Sequence, residues 1–115
     1  SVRGGNSSGL ASTVSTDEAY QMYQNGTFVL DVRTQAEWND YHVPNTTLIP
    51  LDELPNRLSQ LTKNQEIVVI CHSGNRSQKG RDILLNAGFN ATSMTGGILA
   101  WYNKGYPVDA TGIVK

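Results

Sequence analysis

Cysteine occurs once in this chain of 115 residues, as Cys71. That scarcity excludes an internal disulfide, a Cys-x-x-Cys redox pair and a cysteine-based zinc site, and leaves one thiol that is either inert and buried or reactive. Long apolar runs are also missing. None approaches the roughly 20 residues that a membrane helix requires. An excess of either charge is lacking too: 9 Lys and Arg stand against 10 Asp and Glu, for a net charge of -1. Without clustered positive charge, nucleic acid and anionic membrane surfaces are not expected partners. The two histidines, His42 and His72, offer no metal-ligand spacing with the lone cysteine. No P-loop and no dinucleotide-binding glycine pattern is present, so neither metal nor cofactor is expected. The first residue is not Met, which suggests a trimmed or processed chain.

What remains is the composition of a soluble domain, 38% apolar and 17% charged. A chain of this size buries roughly two thirds of its unfolded surface and needs no covalent staple. The opening "SVRGGNSSGLAST" is rich in Gly and Ser without apolar periodicity. It reads as a flexible leader over residues 1–13, with one domain over 14–115.

After it, helix and strand signals alternate. "STDEAYQMYQNG" opens with a capping box, Ser15 with Glu18, and closes at Gly26. "TFVLDV" is a short strand from Phe28 to Val32. Thr34 and Glu37 form a second capping box, so a short helix follows. "TTLIPL" is a strand stopped by Pro50. Leu51, Leu54, Leu58 and Leu61 then recur at helical spacing, with Pro55 tolerable only in a first turn. "EIVVI" is apolar on both faces, as a central parallel strand is. A helix from about Ser77 to Ala87 ends at Gly88, "ATSMT" is a last strand, and "GGILAWYNKGYP" a final short helix. Strands joined by crossover helices imply an α/β domain with a parallel sheet covered on both faces.

In such sheets ligands bind where strands end and helices begin. Cys71 stands at that point, after "EIVVI" and before the loop "HSGNRS". A helix N-terminus presents free N–H groups and a dipole that favour an anion. With the guanidinium of Arg76, they are expected to favour thiolate over thiol, and the thiolate is the nucleophile. Gly74 lets the loop turn tightly enough to aim several N–H groups at one point. Ser77 is expected as N-cap, and Ser73 and Asn75 act mainly through their backbone. His72 either tunes substrate choice or is a solvent-exposed imidazole. Asp31 and Arg33 read as structural ion-pair members, together with Glu37. His42 is either a general base or, the favoured reading, a residue that fixes a turn; Trp38 and Trp101 are core or pocket-wall aromatics, and Gly96 and Gly97 allow close backbone approach to the loop.

Strand, Cys-x-x-Gly-x-Arg-Ser, helix resembles the active-site loop of rhodanese-type sulfurtransferases. "LDVRTQAEW" is similar to that family's Asp-Val-Arg segment with its following Glu and aromatic residue. "HVP" is similar to the start of its His-Ile-Pro-Gly-Ala stretch, and "GGILAWYNKGYPV" to its Gly-Gly…Trp…Gly-x-Pro-Val ending. The resemblance covers nearly the whole chain after the leader. Asn45-Thr46 departs from it where the family has Gly-Ala, so the turn after Pro44 is expected to differ in shape.

The resemblance implies a single-domain, three-layer fold whose central, mostly parallel sheet has five strands and helices on both faces. It implies a ping-pong sulfur transfer. Cys71 takes the sulfane sulfur of a donor such as thiosulfate or a persulfide, and cyanide or a thiol removes it. Cys71 and Arg76 are the expected catalytic residues, with His72, Ser73, Gly74, Asn75 and Ser77 binding substrate and Asp31, Arg33 and Glu37 in support. Without a second cysteine, the sulfur must leave to an outside acceptor, a small thiol, cyanide or an acceptor protein. Arg76 is the loop's one Lys or Arg, which leaves room for a persulfide or polysulfide as a better donor than thiosulfate.

Two other functions stand beside this one. A non-catalytic rhodanese-like module would bind a partner or carry sulfur to it, although such modules commonly lack the loop cysteine. A cysteine phosphatase or arsenate reductase shares the Cys…Arg loop, but phosphatase loops place five residues between Cys and Arg where this chain has four. One residue fewer shortens the contour by roughly 3.5 Å, which suits one sulfur atom better than a phosphoryl group. A monomer is expected. The compartment stays open: the cytoplasm is the default for a lone reactive thiol, while the polar composition also suits a periplasmic or secreted domain.

Overall fold

The computed structural model describes residues 10–110. Its strands are β1 (Thr13–Val14), β2 (Phe28–Asp31), β3 (Thr47–Leu48), β4 (Glu66–Ile70) and β5 (Asn90–Met94). Its helices are α1 (Thr16–Gln24), α2 (Gln35–Asp40), α3 (Arg76–Asn86) and α4 (Gly97–Asn103). The five strands form one sheet in the order β1-β5-β4-β2-β3, and every pairing is parallel.

The strand β4 organises the interior because its side chains alternate across the sheet. Ile67 and Val69 join Leu30, Leu54 and Leu84 in one core. Val68 and Ile70 join Ala19, Ile98 and Trp101 in the other. Helix α3 covers the first face and α1 with α4 the second, which makes three layers.

Both capping boxes form as the sequence indicates. Ser15 accepts from the Glu18 N–H and Thr34 from the Glu37 N–H, while each glutamate reaches back to the cap backbone. The region around Pro55 differs from expectation. Two 3-10 turns, Leu54–Asn56 and Leu58–Gln60, stand where the leucine spacing suggested an α-helix. Proline has no N–H to donate and its ring collides with the carbonyl one turn back, so the tighter turn takes over. The apolar face survives this change: Leu54 is buried in the first core, and Leu51, Leu58 and Leu61 pack against it.

Strand β1 has no signal in the sequence. Two residues gain strand geometry only by pairing with β5, Thr13 opposite Ser93 and Val14 opposite Met94. Thr13 belongs to the stretch read as a leader, and Ser12 also takes part, its carbonyl accepting from the Ser93 N–H at 3.1 Å. Residues 1–9 of that stretch lie outside the described residues. No described helix is long and apolar enough to cross a membrane.

The topology also fixes where a ligand can sit. The connection leaving β2 runs to β3 on one side, and the connection leaving β4 runs to β5 on the other. Their diverging paths open a crevice outside the carboxyl ends of two neighbouring strands. Cys71 follows β4 directly and stands at that crevice.

Candidate active site

Cys71 is buried, 1% exposed, at the end of β4. The Gly74 N–H donates to its sulfur at 3.1 Å. This contact closes the loop over the thiol, and it needs Gly74 at a φ of +112°, a region that side-chain-bearing residues rarely adopt.

The Cys71, His72 and Gly74 carbonyls of the loop are held by hydrogen bonds from α4 and α3. The Ile98 N–H donates to the Cys71 carbonyl at 2.8 Å and the Leu99 N–H to the His72 carbonyl at 3.2 Å. Ser77 Oγ and Gln78 Nε2 both donate to the Gly74 carbonyl, at 3.2 and 3.0 Å. These bonds tie the loop to α4 and α3, and the Gly74 N–H is the loop donor that reaches the sulfur. The close fit to α4 depends on Gly97: a Cβ there would stand 2.1 Å from the His72 carbonyl oxygen. The sequence signalled this approach through the pair Gly96-Gly97. It did not signal Gln78, whose long polar side chain in an exposed helical turn has no distinctive spacing.

Ser77 is not the N-cap. Helix α3 starts at Arg76 with Asn75 as its cap residue, which makes no side-chain capping bond. Ser77 is fully buried and ties the first turn of α3 to the loop instead. Ser73 and Asn75 are exposed at the rim, and His72 is half-buried.

The ion pairs divide differently from expectation. Asp31 and Arg33 do pair, buried, with Arg33 Nη2 at 2.8 Å from Asp31 Oδ2. The same nitrogen donates to the Tyr41 carbonyl at 2.8 Å, so this pair anchors the far end of α2. Glu37 takes no part in it. Its carboxylate receives both terminal nitrogens of Arg76, each at 2.8 Å. The planar guanidinium matches a carboxylate in this two-bond geometry, and the capping box holds Glu37 in place to accept it. The Arg76 hydrogen bonds pull the Glu37 carboxyl down from the usual 4.5 to about 2. The Arg76 guanidinium is pushed up chiefly by its hydrogen bonds to Glu37.

His42 lies apart from the loop. Its ring stacks on Trp38 at 3.7 Å between centroids, its Nδ1 lies 2.8 Å from the Trp38 carbonyl, and its backbone bridges Asp109. It fixes the turn that leads to Asn45, the one non-glycine residue among those described with a positive φ, +63°. The turn after Pro44 thus has a left-handed residue at the position where the resembled pattern has glycine, and asparagine tolerates that conformation.

A model of the rhodanese-like domain family matches residues 15–104. The chain belongs to the rhodanese-like domain family. A sulfurtransferase of Allochromatium vinosum is 32% identical over 83 residues, which span 71% of this chain and 78% of that protein. A Bacillus subtilis protein, YrkF, whose name proposes a sulfur carrier, is 36% identical over 77 residues, 66% of this chain and 42% of that one. Among solved structures, a rhodanese-related protein of Thermoplasma volcanium superposes with a TM-score of 0.81 at 31% identity, covering 86% of this chain and 98% of that one. Within that fold Cys71 follows β4, and its loop leads into α3.

Proposed function

We propose that this rhodanese-like protein is a sulfurtransferase. In this reading the Cys71 thiolate attacks the outer sulfur of a sulfane donor and becomes a persulfide, and a thiol or cyanide then removes that sulfur. The observation that carries the reading is the Gly74 N–H at 3.1 Å from the Cys71 sulfur, in a loop whose Cys71, His72 and Gly74 carbonyls are engaged by α4 and α3. An N–H donor at that distance offers a hydrogen bond to the negative charge that a persulfide anion carries. Arg76 supports this reading by its place at the start of α3, at the end of the Cys71 loop, where Glu37 holds it in one orientation. The name of the Allochromatium vinosum relative supports the same reaction class.

A carrier role for the persulfide is the second reading, supported by the name of YrkF. It differs in the acceptor, a protein in place of a small molecule. The chemistry at Cys71 is the same in both.

The test is intact-mass measurement. Incubation with a sulfane donor is expected to add one sulfur atom, and cyanide is expected to remove it as thiocyanate. Cys71→Ser is expected to show neither change, because a hydroxyl is a far weaker nucleophile at neutral pH. A wild-type protein that stays unmodified with thiosulfate, thiosulfonates and organic persulfides would overturn the proposal. A phosphoryl or arsenate adduct would show that the four-residue spacing between Cys71 and Arg76 does not select sulfur.

A further inference from the structure

A cavity of about 320 Å³ opens beside Arg76, walled by Val32, Thr34, Pro50, Leu51 and Asp52. Each wall residue follows the carboxyl end of a strand: Val32 and Thr34 follow β2, Pro50 to Asp52 follow β3, and Arg76 follows β4. The cavity therefore shares its sheet edge with Cys71 and lies at the crevice where the chain paths diverge. Its surface is mostly apolar, from Val32, Pro50 and Leu51. The Thr34 hydroxyl is engaged by Glu37, 3.1 Å away. The one cation of the wall, Arg76, has both terminal nitrogens bound by the Glu37 carboxylate. Asp52 is exposed and adds a negative charge.

These features favour one class of molecule and disfavour another. An apolar group gains by leaving water for the Val32, Pro50 and Leu51 walls. A doubly charged anion finds a cation already neutralised and a carboxylate, Asp52, on the same wall. We infer that this cavity seats the leaving group of the sulfur donor and selects organic donors of low charge, aryl thiosulfonates or organic persulfides, over dianionic thiosulfate. The inference rests on the sulfur-transfer reading above and specifies its donor.

With a thiosulfonate the step balances without any further reactant. The Cys71 thiolate attacks the outer sulfur, and a new sulfur–sulfur bond forms as the bond from that outer sulfur to the sulfonyl sulfur breaks. The electron pair of the broken bond leaves with the organic sulfinate, which carries one negative charge. Cys71 is left as a persulfide anion. No proton is transferred and no external oxidant is consumed. The organic group of the sulfinate occupies the cavity, against Val32, Pro50 and Leu51.

Three donors separate ring from charge: benzenethiosulfonate, methanethiosulfonate and thiosulfate. Persulfide formation on the intact protein is timed by mass, and each rate is divided by the rate of the same donor with free cysteine, which removes intrinsic reactivity. The expected order is benzenethiosulfonate, methanethiosulfonate, thiosulfate, each step about tenfold. Asp52→Lys, at an exposed position, is expected to shift the ratio of thiosulfate to benzenethiosulfonate about tenfold toward thiosulfate. Leu51→Ala is expected to reduce the advantage of the ring, with the fold checked by circular dichroism. Equal normalised rates for the three donors, or a ratio unmoved by Asp52→Lys, would overturn the cavity inference and leave sulfur transfer standing. Failure of every donor to modify Cys71 would instead overturn sulfur transfer, and the donor subsite with it.

Discussion

At the scale of single residues, the Glu37–Arg76 pair carries the clearest consequence. Glu37 has its carboxyl lowered in the folded state to about 2, so its stabilising effect is fully present above the usual 4.5 and is lost as pH falls toward 2. Both side chains are about one third exposed, so solvent screens the pair and its contribution near neutrality is about 1 kcal/mol. Chemical denaturation of wild type and Glu37→Gln at a series of pH values is expected to show that difference at pH 7 and its disappearance near pH 2. A difference that persists at low pH would mean that glutamine damages the capping box. Asn45 offers a second test. Its φ of +63° costs little for asparagine and nothing for glycine. Asn45→Gly is therefore expected to be neutral or slightly stabilising, and Asn45→Ala destabilising by about 1 kcal/mol, measured as a shift in urea midpoint. Equal effects of the two substitutions would show that the left-handed turn is not what the residue supports.

At the scale of elements, the nucleophile loop depends on α4 as much as on α3. Helix α4 supplies the N–H groups of Ile98 and Leu99 that hold the Cys71 and His72 carbonyls. That contact is between backbones, so it has no side chain to yield when space is lost. Gly97→Ala would push a methyl group against the His72 carbonyl and force loop and helix apart. A cost of about 3 kcal/mol is expected, together with loss of persulfide formation even in the folded fraction. A folded Gly97→Ala protein with normal persulfide formation would show that the loop holds its shape without α4. The 3-10 turns around Pro55 give a milder prediction. Pro55→Ala restores a donor and removes the clash, yet the four leucines already bury their face, so the stability change is expected to stay within about 1 kcal/mol.

At the scale of the whole molecule, two cores are separated by one sheet and coupled through β4. Ile67 and Val69 belong to one core and Val68 and Ile70 to the other, so neither face can melt without releasing the strand they share. Leu84→Ala on one face and Ile98→Ala on the other are each expected to cost about 2–4 kcal/mol, and in both variants tryptophan fluorescence and far-ultraviolet circular dichroism are expected to change together. Transitions that separate would show two independent units. Much of this design is legible in the chain: two capping boxes, the apolar strand Glu66–Ile70, and a cysteine placed where that strand meets a helix are local patterns, written within a few residues of one another. The 3-10 turns were not, because leucine spacing reports a buried face and leaves open which helical pitch presents it. Strand β1 was not, because two residues have no periodicity and become a strand only beside β5. The partner of Arg76 was not, because Glu37 lies thirty-nine residues away and the leading signals tied it to Asp31 and Arg33. Residue order alone therefore determined which atoms could do chemistry and which strand would be central. Their pairing, the orientation of the loop carbonyls and the cavity beside Arg76 were decided by tertiary structure, since each joins groups that only the crossing of β2, β3, β4 and α4 brings within hydrogen-bonding reach.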